Sequence, residues 1–257
     1  MKTKLTIPGV DSDLLAKDAL KILSPLSRRA FLRGTGSLGS LVLLTGCDVV
    51  DGTSAENLLR EVSRINDDIQ ALLFSDRRLA PVYDETDITR PFPFNAFYDR
   101  ADAPEIEATE WRLQVSGLVS ETEPWSLADL NALPGESQIT KHICIEGWSA
   151  IGKWSGPRLG YFLQRIGADT GAKYIGFRCE DRYLTSLDMA TALHPQTQMT
   201  LSFDGRTLPR EYGFPLKIRV PTKLGFKNPK HVYELFVTND YPGGFWEDRG
   251  YNWFSGL

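Results

Sequence analysis

The sequence predicts an α+β fold on three observations. Strand-like stretches are short and separated by turns, the few helical stretches are bounded by caps and prolines, and no repeat or low-complexity segment appears. Composition agrees: 42% hydrophobic and 24% charged is ordinary for a globular chain, and 257 residues suffice for one large domain or two small ones. A net charge of -4 gives no reason to expect a nucleic-acid partner. No apolar run reaches the roughly 18 residues that a membrane-spanning helix needs.

In chain order, the first signal is for export. Ser27-Arg28-Arg29-Ala30-Phe31-Leu32-Arg33 has the form of a twin-arginine motif, with the Phe-Leu pair that follows the arginines. Gly34 to Thr45 is weakly apolar and Gly-rich, the length of a signal-peptide core and too short to span. It runs into Leu44-Thr45-Gly46-Cys47, small residues before a cysteine in the manner of a lipobox, with Cys47 as the acylated residue. Acylation there supplies more than one hydrocarbon chain, enough for stable anchoring. Asp48, next in line, resembles a signal that retains lipoproteins at the inner membrane. Residues 1–46 therefore read as a targeting segment, 47–80 as a lipidated N-terminus with a linker helix, and 81–257 as the main folded domain. A twin-arginine route carries folded proteins, which points to a cofactor inserted before export. The expected location is the periplasm or the outer face of the cytoplasmic membrane.

Ser54 can cap a helix whose apolar positions Leu58, Val62, Ile65, Ile69 and Leu72 recur at three and four residues. Such a helix packs on the domain or spaces it from the membrane. Arg90 to Tyr98 is extended, because each proline drives its predecessor out of helical geometry. Trp111 to Gly117 alternates as a strand. Ser126 caps a short helix from Leu127 to Leu133 that Pro134 ends. Gln138 to Ile145 reads as a strand that delivers Cys144 near its end. A helix from Leu159 to Ile166 stops at Gly167. Tyr174 to Cys179 is a strand, Ser186 to Leu193 a helix halted by Pro195, and Leu216 to Val220 and Val232 to Val237 are further strands.

Three cysteines and three histidines limit the chemistry. With Cys47 acylated, Cys144 and Cys179 remain, either as a disulfide in an oxidising compartment or as a metal ligand and a buried thiol. His142, His194 and His231 form no C-x-x-C-H or H-E-x-x-H arrangement, so neither a c-type haem nor a zinc-protease site is supported. An electron partner, if there is one, is then a separate protein.

The segment His142-Ile143-Cys144-Ile145-Glu146-Gly147-Trp148-Ser149, followed by Trp154-Ser155-Gly156-Pro157-Arg158-Leu159, resembles the molybdopterin-binding domain of the sulfite oxidase superfamily. The likeness is nearest to the periplasmic methionine sulfoxide reductase branch and runs from about Asn95 to Val237. It implies a fold of mixed β-sheets with short helices, a molybdenum-molybdopterin cofactor, and Cys144 as the protein ligand to the metal. A thiolate is a soft donor suited to a metal that cycles between oxidation states.

The same resemblance assigns further residues. Asn95, Tyr98 and Asp99 match the family's Asn-x-Phe-Tyr-Glu cofactor segment. His142 flanks the metal ligand, and Cys179 stands where the reductase branch has a threonine against the cofactor. The pterin ends in a phosphate, which calls for cations. Arg206, Arg210, Lys217, Arg219, Lys223, Lys227 and Lys230 crowd one stretch, in which Glu211 is the sole acid among them. A lysine-decorated strand edge explains such a run as well as a phosphate pocket does. By the resemblance, Tyr212, Lys217 and Asn228, Pro229 and Lys230 line the pterin pocket. Lys217 stands where relatives have arginine and so lacks the bidentate fork.

The family reaction is two-electron oxygen-atom transfer, coupled to electron exchange with a separate redox protein such as a membrane haem protein or cytochrome. Tyr183 resembles the active-site tyrosine of sulfite oxidases, though a half-buried core tyrosine reads the same. Trp148 suits either a substrate wall or plain core. Sulfite oxidases follow the metal cysteine with Gly-Asn-Arg-Arg, whereas Ile145-Glu146-Gly147-Trp148 stands here. A carboxylate there disfavours a sulfite dianion and leaves a neutral sulfoxide, free or protein-bound, as the expected substrate. The alternatives are a sulfite or oxyanion oxidoreductase of the same fold, or a metal-free binding lipoprotein. The chain lacks the dimerisation domain of eukaryotic sulfite oxidases, so a monomer is expected.

Overall fold

The computed structural model describes residues 52–75 and 78–257. The twin-arginine and lipobox segments, including Cys47, lie outside the described residues. Residues 59–257 cluster as one compact body, and the first turns of the N-terminal helix fall in the other. No helix among the described residues is long and apolar enough to cross a membrane.

The N-terminal helix, α1, runs Gly52–Leu73. A five-stranded sheet follows the order β2-β1-β11-β5-β6, with β1 Arg112–Gly117, β2 Trp125–Ser126, β5 Tyr174–Cys179, β6 Leu184–Asp188 and β11 Val232–Thr238. Only β1 and β11 pair in parallel, with Val115 opposite Leu235. A second, antiparallel sheet has the order β3-β4-β8-β9: β3 is Gly135–Ile143, β4 Ser149–Pro157, β8 Ser202–Phe203 and β9 Arg206–Thr207. A third ladder pairs β10 Lys217–Arg219 with β7 Gln198–Thr200. The short helices α2 Leu127–Asn131, α3 Leu159–Arg165 and α4 Met189–Leu193 complete the α+β architecture.

Alternation predicts β1 well, because Leu113 and Val115 point into the main core while Arg112 and Gln114 face water. Leu159, Phe162 and Leu163 of α3 are fully buried in the same core, at helical spacing. Gly167, just past the end of α3, takes a positive φ of 60°, so glycine stops this helix as its conformational freedom allows. Ser126 caps α2 by accepting from Asp129 N, and Asp129 returns a bond to Ser126 N. A smaller core of Phe92, Ala150, Trp154 and Leu208 underlies the second sheet.

Several boundaries differ from expectation. The helix expected from Ser186 is instead the end of strand β6 followed by the short α4, whose N-cap is Asp188. Pairing with β5 overrides local preference: Ser186 sits opposite Gly176 and its buried hydroxyl donates to Gly243 O. The strand that brings in Cys144 begins at Gly135 and ends at Ile143, so the cysteine opens the following turn. Strand β4, a nine-residue stretch, carries glycines and polar residues that hide its alternation. Helix α1 exposes its apolar stripe and turns a polar one to the domain.

Candidate active site

Cys144 sits at the tip of the β3–β4 hairpin. On β3 the residues Thr140 and His142 point inward, and the period of two carries inward to Cys144. The turn closes by Cys144 N to Trp148 O at 2.9 Å and Gly147 N to Cys144 O at 3.2 Å, with Gly147 at φ 90°. The thiol opens onto a cleft with about 620 Å³ of open space. Asn95, Tyr98, Asp181, Tyr183, Asn228, Pro229 and Lys230 line it beside Cys144, with Phe97, Phe226 and Trp246 as apolar walls.

Burial pushes the Cys144 thiol up, and the charge of Glu146 adds to the effect. The Glu146 carboxylate lies 3.7 Å from Cys144 Sγ and accepts from Trp148 Nε1 at 3.0 Å. Tyr98 donates to Asp181 Oδ2 at 3.2 Å, and Tyr183 N donates to Asp181 Oδ1 at 3.1 Å. Burial raises Asp181 above the usual carboxylate range, so this cleft holds an acid that keeps its proton more readily than most. The Tyr183 phenol donates to Phe226 O at 2.7 Å and ties the start of β6 to the loop before Asn228. Its acidity is suppressed, first by burial and then by Glu247.

A group of buried basic residues adjoins the cleft, Lys230 in its lining and Lys217 and Arg219 bonded to Asn228. Lys217, Arg219 and Lys230 are 3%, 0% and 8% exposed, and no carboxylate forms an ion pair with any of them among the described residues. Their partners are carbonyls, amides and rings. Lys230 Nζ donates to Asn95 O at 2.8 Å and Glu211 O at 3.1 Å. Arg219 donates to Asn228 Oδ1 at 2.6 Å and Lys141 O at 2.7 Å. Lys217 Nζ reaches Asn228 O at 3.3 Å and lies 5.7 Å from the Trp154 ring centroid. Burial drives Lys217 well below its ordinary value and Lys230 down to about 8. His142 is lowered by burial and by Arg219, Lys217 and Lys230, and its Nδ1 has no partner among the described residues. Three buried basic groups with no ion-paired carboxylate among the described residues are costly to keep charged unless an anion joins them. A phosphate-bearing group suits this cradle, and the Cys144 sulfur suits a soft metal.

The sequence-predicted residues divide accordingly. Asn95, Tyr98, Cys144, Tyr183, Asn228, Pro229 and Lys230 meet at the cleft. His142, Lys217 and Cys179 are buried and do not line it, and Cys144 and Cys179 are both free thiols. Asp99 lies at the N-cap of the 3-10 turn Arg100–Asp102, away from the cleft lining, where its carbonyl accepts from Asp102 N. Tyr212 packs on Phe92 and Phe203 and donates to Phe92 O at 2.7 Å, and Trp148 packs on the same smaller core, so neither lines the cleft. The basic stretch separates by destination. Lys223 and Lys227 find Asp188 and Glu247, and Arg210 binds Glu105 near the surface. Asp181 went unpredicted because a Glu-Asp-Arg turn between strands carries no chemical signature. Arg219 was legible only as one cation among seven.

Gly225 permits the loop to close over this site. A Cβ there would lie 2.5 Å from His142 Nε2 and 3.2 Å from Ile143 O. Gly225→Ala is therefore expected to push the loop off the hairpin. The cost is about 1–3 kcal/mol in denaturant unfolding, the range of overpacking. An unchanged midpoint would show that the contact yields freely.

The chain matches the oxidoreductase molybdopterin binding domain family over residues 100–246. It is 58% identical over 240 residues to a chain provisionally named protein-methionine-sulfoxide reductase subunit YedZ1 from Azospira oryzae, covering 93% of this chain and 92% of that one. It is 29% identical over 191 residues to the protein-methionine-sulfoxide reductase catalytic subunit MsrP of Xanthomonas campestris, across 64% of this chain and 59% of that protein. The sulfane dehydrogenase SoxCD of Paracoccus pantotrophus shares the fold at a TM-score of 0.51 and 19% identity, over 54% of this chain and 40% of that one. With its cysteine-tipped hairpin and its buried cationic cradle, the chain belongs to the oxidoreductase molybdopterin-binding domain family of the sulfite oxidase superfamily.

Proposed function

We propose that this protein is a cell-envelope molybdenum enzyme that reduces a sulfoxide, with methionine sulfoxide as the leading substrate. The observation that carries the reading is the cleft lined by Cys144, Asn228 and Lys230, with Lys217 and Arg219 bonded to Asn228 and none of the three basic residues ion-paired with a carboxylate among the described residues. A bound molybdenum-molybdopterin supplies two-electron oxygen-atom exchange. Cys144 Sγ is its metal ligand. Lys217, Arg219 and Lys230 neutralise its phosphate, with Asn95, Tyr98, Asn228 and Pro229 holding the pterin from the cleft side. His142, Cys179 and Tyr212 support that pocket from behind.

Sulfoxide reduction consumes two electrons and two protons and releases a sulfide and water. The electrons come from a separate redox protein, most simply a membrane haem protein or cytochrome. Asp181, whose Oδ2 accepts from the Tyr98 hydroxyl, is the group that holds a proton in the cleft that Cys144 also lines. Phe97, Phe226 and Trp246 exclude water and accept the apolar flanks of a thioether. Tyr183 acts mainly as a brace, since its hydroxyl donates to Phe226 O. Trp148 orients Glu146 through its indole N–H. Glu146 beside the thiol disfavours a sulfite dianion by like charge.

The relatives support this reading, since two of those described are named for protein-methionine-sulfoxide reductase. Residues 1–46 then direct export, Cys47 carries the anchor, and 81–257 form a monomeric catalytic domain. The test is turnover of metal-loaded protein with methionine sulfoxide and with sulfite, using an artificial electron donor or acceptor. Sulfoxide reduction without efficient sulfite oxidation is expected. Glu146→Gln should raise the sulfite rate by about tenfold, the loss of roughly 1.4 kcal/mol of repulsion. Efficient sulfite oxidation by the wild type, with no sulfoxide reduced, would overturn the assignment.

A further inference from the structure

Helix α1 meets its own domain with a polar stripe. Asp67 Oδ1 accepts from Phe254 N at 2.6 Å, Gln70 Oε1 accepts from Gly256 N at 2.9 Å, and Ser63 O accepts from Asn252 Nδ2 at 3.5 Å. These three residues are spaced by four and three, one face of a helix. The apolar positions look outward instead. Val62, Ile65, Ile69 and Leu72 are 54%, 57%, 51% and 85% exposed, flanked by Leu59 and Leu73 at 68% and 74%. At 3.6 residues per turn these six cover an arc of about 140°.

An apolar face of that width on a helix already held by its other side is a surface for something outside the domain. Pairing with a second copy fits poorly. In heptad terms Val62 and Ile69 take one seam position and Ile65 and Leu72 the other. Yet Glu61 and Asp68 flank the seam on one side, and Leu59, Asn66 and Leu73 on the other supply no opposite charge. The arc is also broader than a two-stranded seam requires.

The position of the helix in the chain favours a bilayer. Cys47, the acylated residue of the proposed function, precedes Gly52 by five peptide steps, which reach no more than about 18 Å when extended. An anchor there keeps α1 within reach of lipid at high effective concentration. We propose that the outward face of α1, from Leu59 to Leu73, lies along the membrane surface with its apolar side chains in the headgroup–acyl boundary. This inference rests on the Cys47 anchor of that reading and is independent of the redox chemistry. With Glu61 and Asp68 along one edge, the face suits zwitterionic lipid better than anionic lipid.

The test is flotation of the full chain carrying Cys47→Ser, which removes the acyl contribution, with phosphatidylcholine–phosphatidylethanolamine vesicles. Adding Ile65→Glu and Ile69→Glu should lower the partition coefficient at least tenfold, while Arg64→Glu, the same change in net charge on the polar flank, leaves it unaltered. Residues 1–46 are common to all, so the difference reads α1. Melting temperatures should agree among the variants, because the substituted side chains face outward. Equal flotation of the Glu pair and its parent would overturn the proposal. So would a marked drop in their melting temperature, which would place the face against the protein's own chain. A dimer in sedimentation equilibrium that the Glu pair dissociates would assign it to a second copy. The mass of the mature wild-type chain reads Cys47 acylation separately, so failure of the anchor and failure of the helix face give different results.

Discussion

Replacing the Cys144 sulfur by oxygen, in Cys144→Ser, is expected to lower turnover by at least a thousandfold while leaving the fold intact. Serine offers a hard, weakly acidic hydroxyl where a soft thiolate is needed. Thousandfold corresponds to about 4 kcal/mol of lost transition-state stabilisation. The hairpin turn closes through the backbone of Cys144 and Trp148, so serine can occupy it without rearrangement. The cofactor-free variant should therefore unfold within about 1.5 kcal/mol of the wild type, because the change is nearly isosteric at a side chain that lines the cleft. Elemental analysis, visible absorption and turnover read the ligand separately from the fold. A Cys144→Ser protein with full molybdenum, an unchanged spectrum and full turnover would remove the cysteine from the metal.

The second large effect has opposite signs in the two forms of the protein. Lys217 is almost completely buried, held by a single 3.3 Å bond to Asn228 O, and shares its surroundings with Lys230 and Arg219. Lys217→Met removes a buried amine that has no ion-paired carboxylate, at similar volume. It should stabilise the cofactor-free chain by about 1–3 kcal/mol, net of the lost bond to the carbonyl. The same change should weaken retention of the phosphate-bearing cofactor by tenfold or more. A Lys217→Met chain less stable than wild type when cofactor-free would show that the cradle is balanced without an anion.

The pH dependence follows from the same cations. Lys230 falls from 10.5 to about 8 on folding, a depressed base. Below about pH 8 the folded chain must protonate a buried amine, and the destabilisation is fully present. Between about 8 and 10.5 the unfolded chain binds the proton that the folded chain does not, so stability rises with pH. For Lys230 alone that amounts to about 3 kcal/mol. Denaturant midpoints of the cofactor-free protein should rise from pH 7 to pH 9. Pyrophosphate at pH 7 should give part of the same gain.

Much of the site was legible in the residues because its chemistry is local. The run around Cys144 carries its identity in a few adjacent positions, and Asn228, Pro229 and Lys230 form one short loop. Asn95, Tyr98 and Tyr183 also line the cleft. Asp99 and Tyr212 matched the motif by position, yet Asp99 is exposed outside the cleft lining and the Tyr212 ring packs on Phe92 and Phe203. A motif reports order along the chain. Which way a side chain points depends on pairings tens of residues away.

The sequence by itself determined the α+β class, the alternating strand β1, the capped helix α2 and the helix α3 that Gly167 ends. Each is written in periods of two or 3.6 and in cap residues that act over one turn. Tertiary structure alone decided which cations serve the cradle. Lys223 and Lys227 are drawn to Asp188 and Glu247, whereas Lys217, Arg219 and Lys230 are buried with no ion-paired carboxylate among the described residues. It also decided that Ser186 belongs to a strand and that α1 turns its polar side inward. The physical reason is the same in each case: burial and charge pairing depend on what the rest of the chain brings alongside, which no local pattern records.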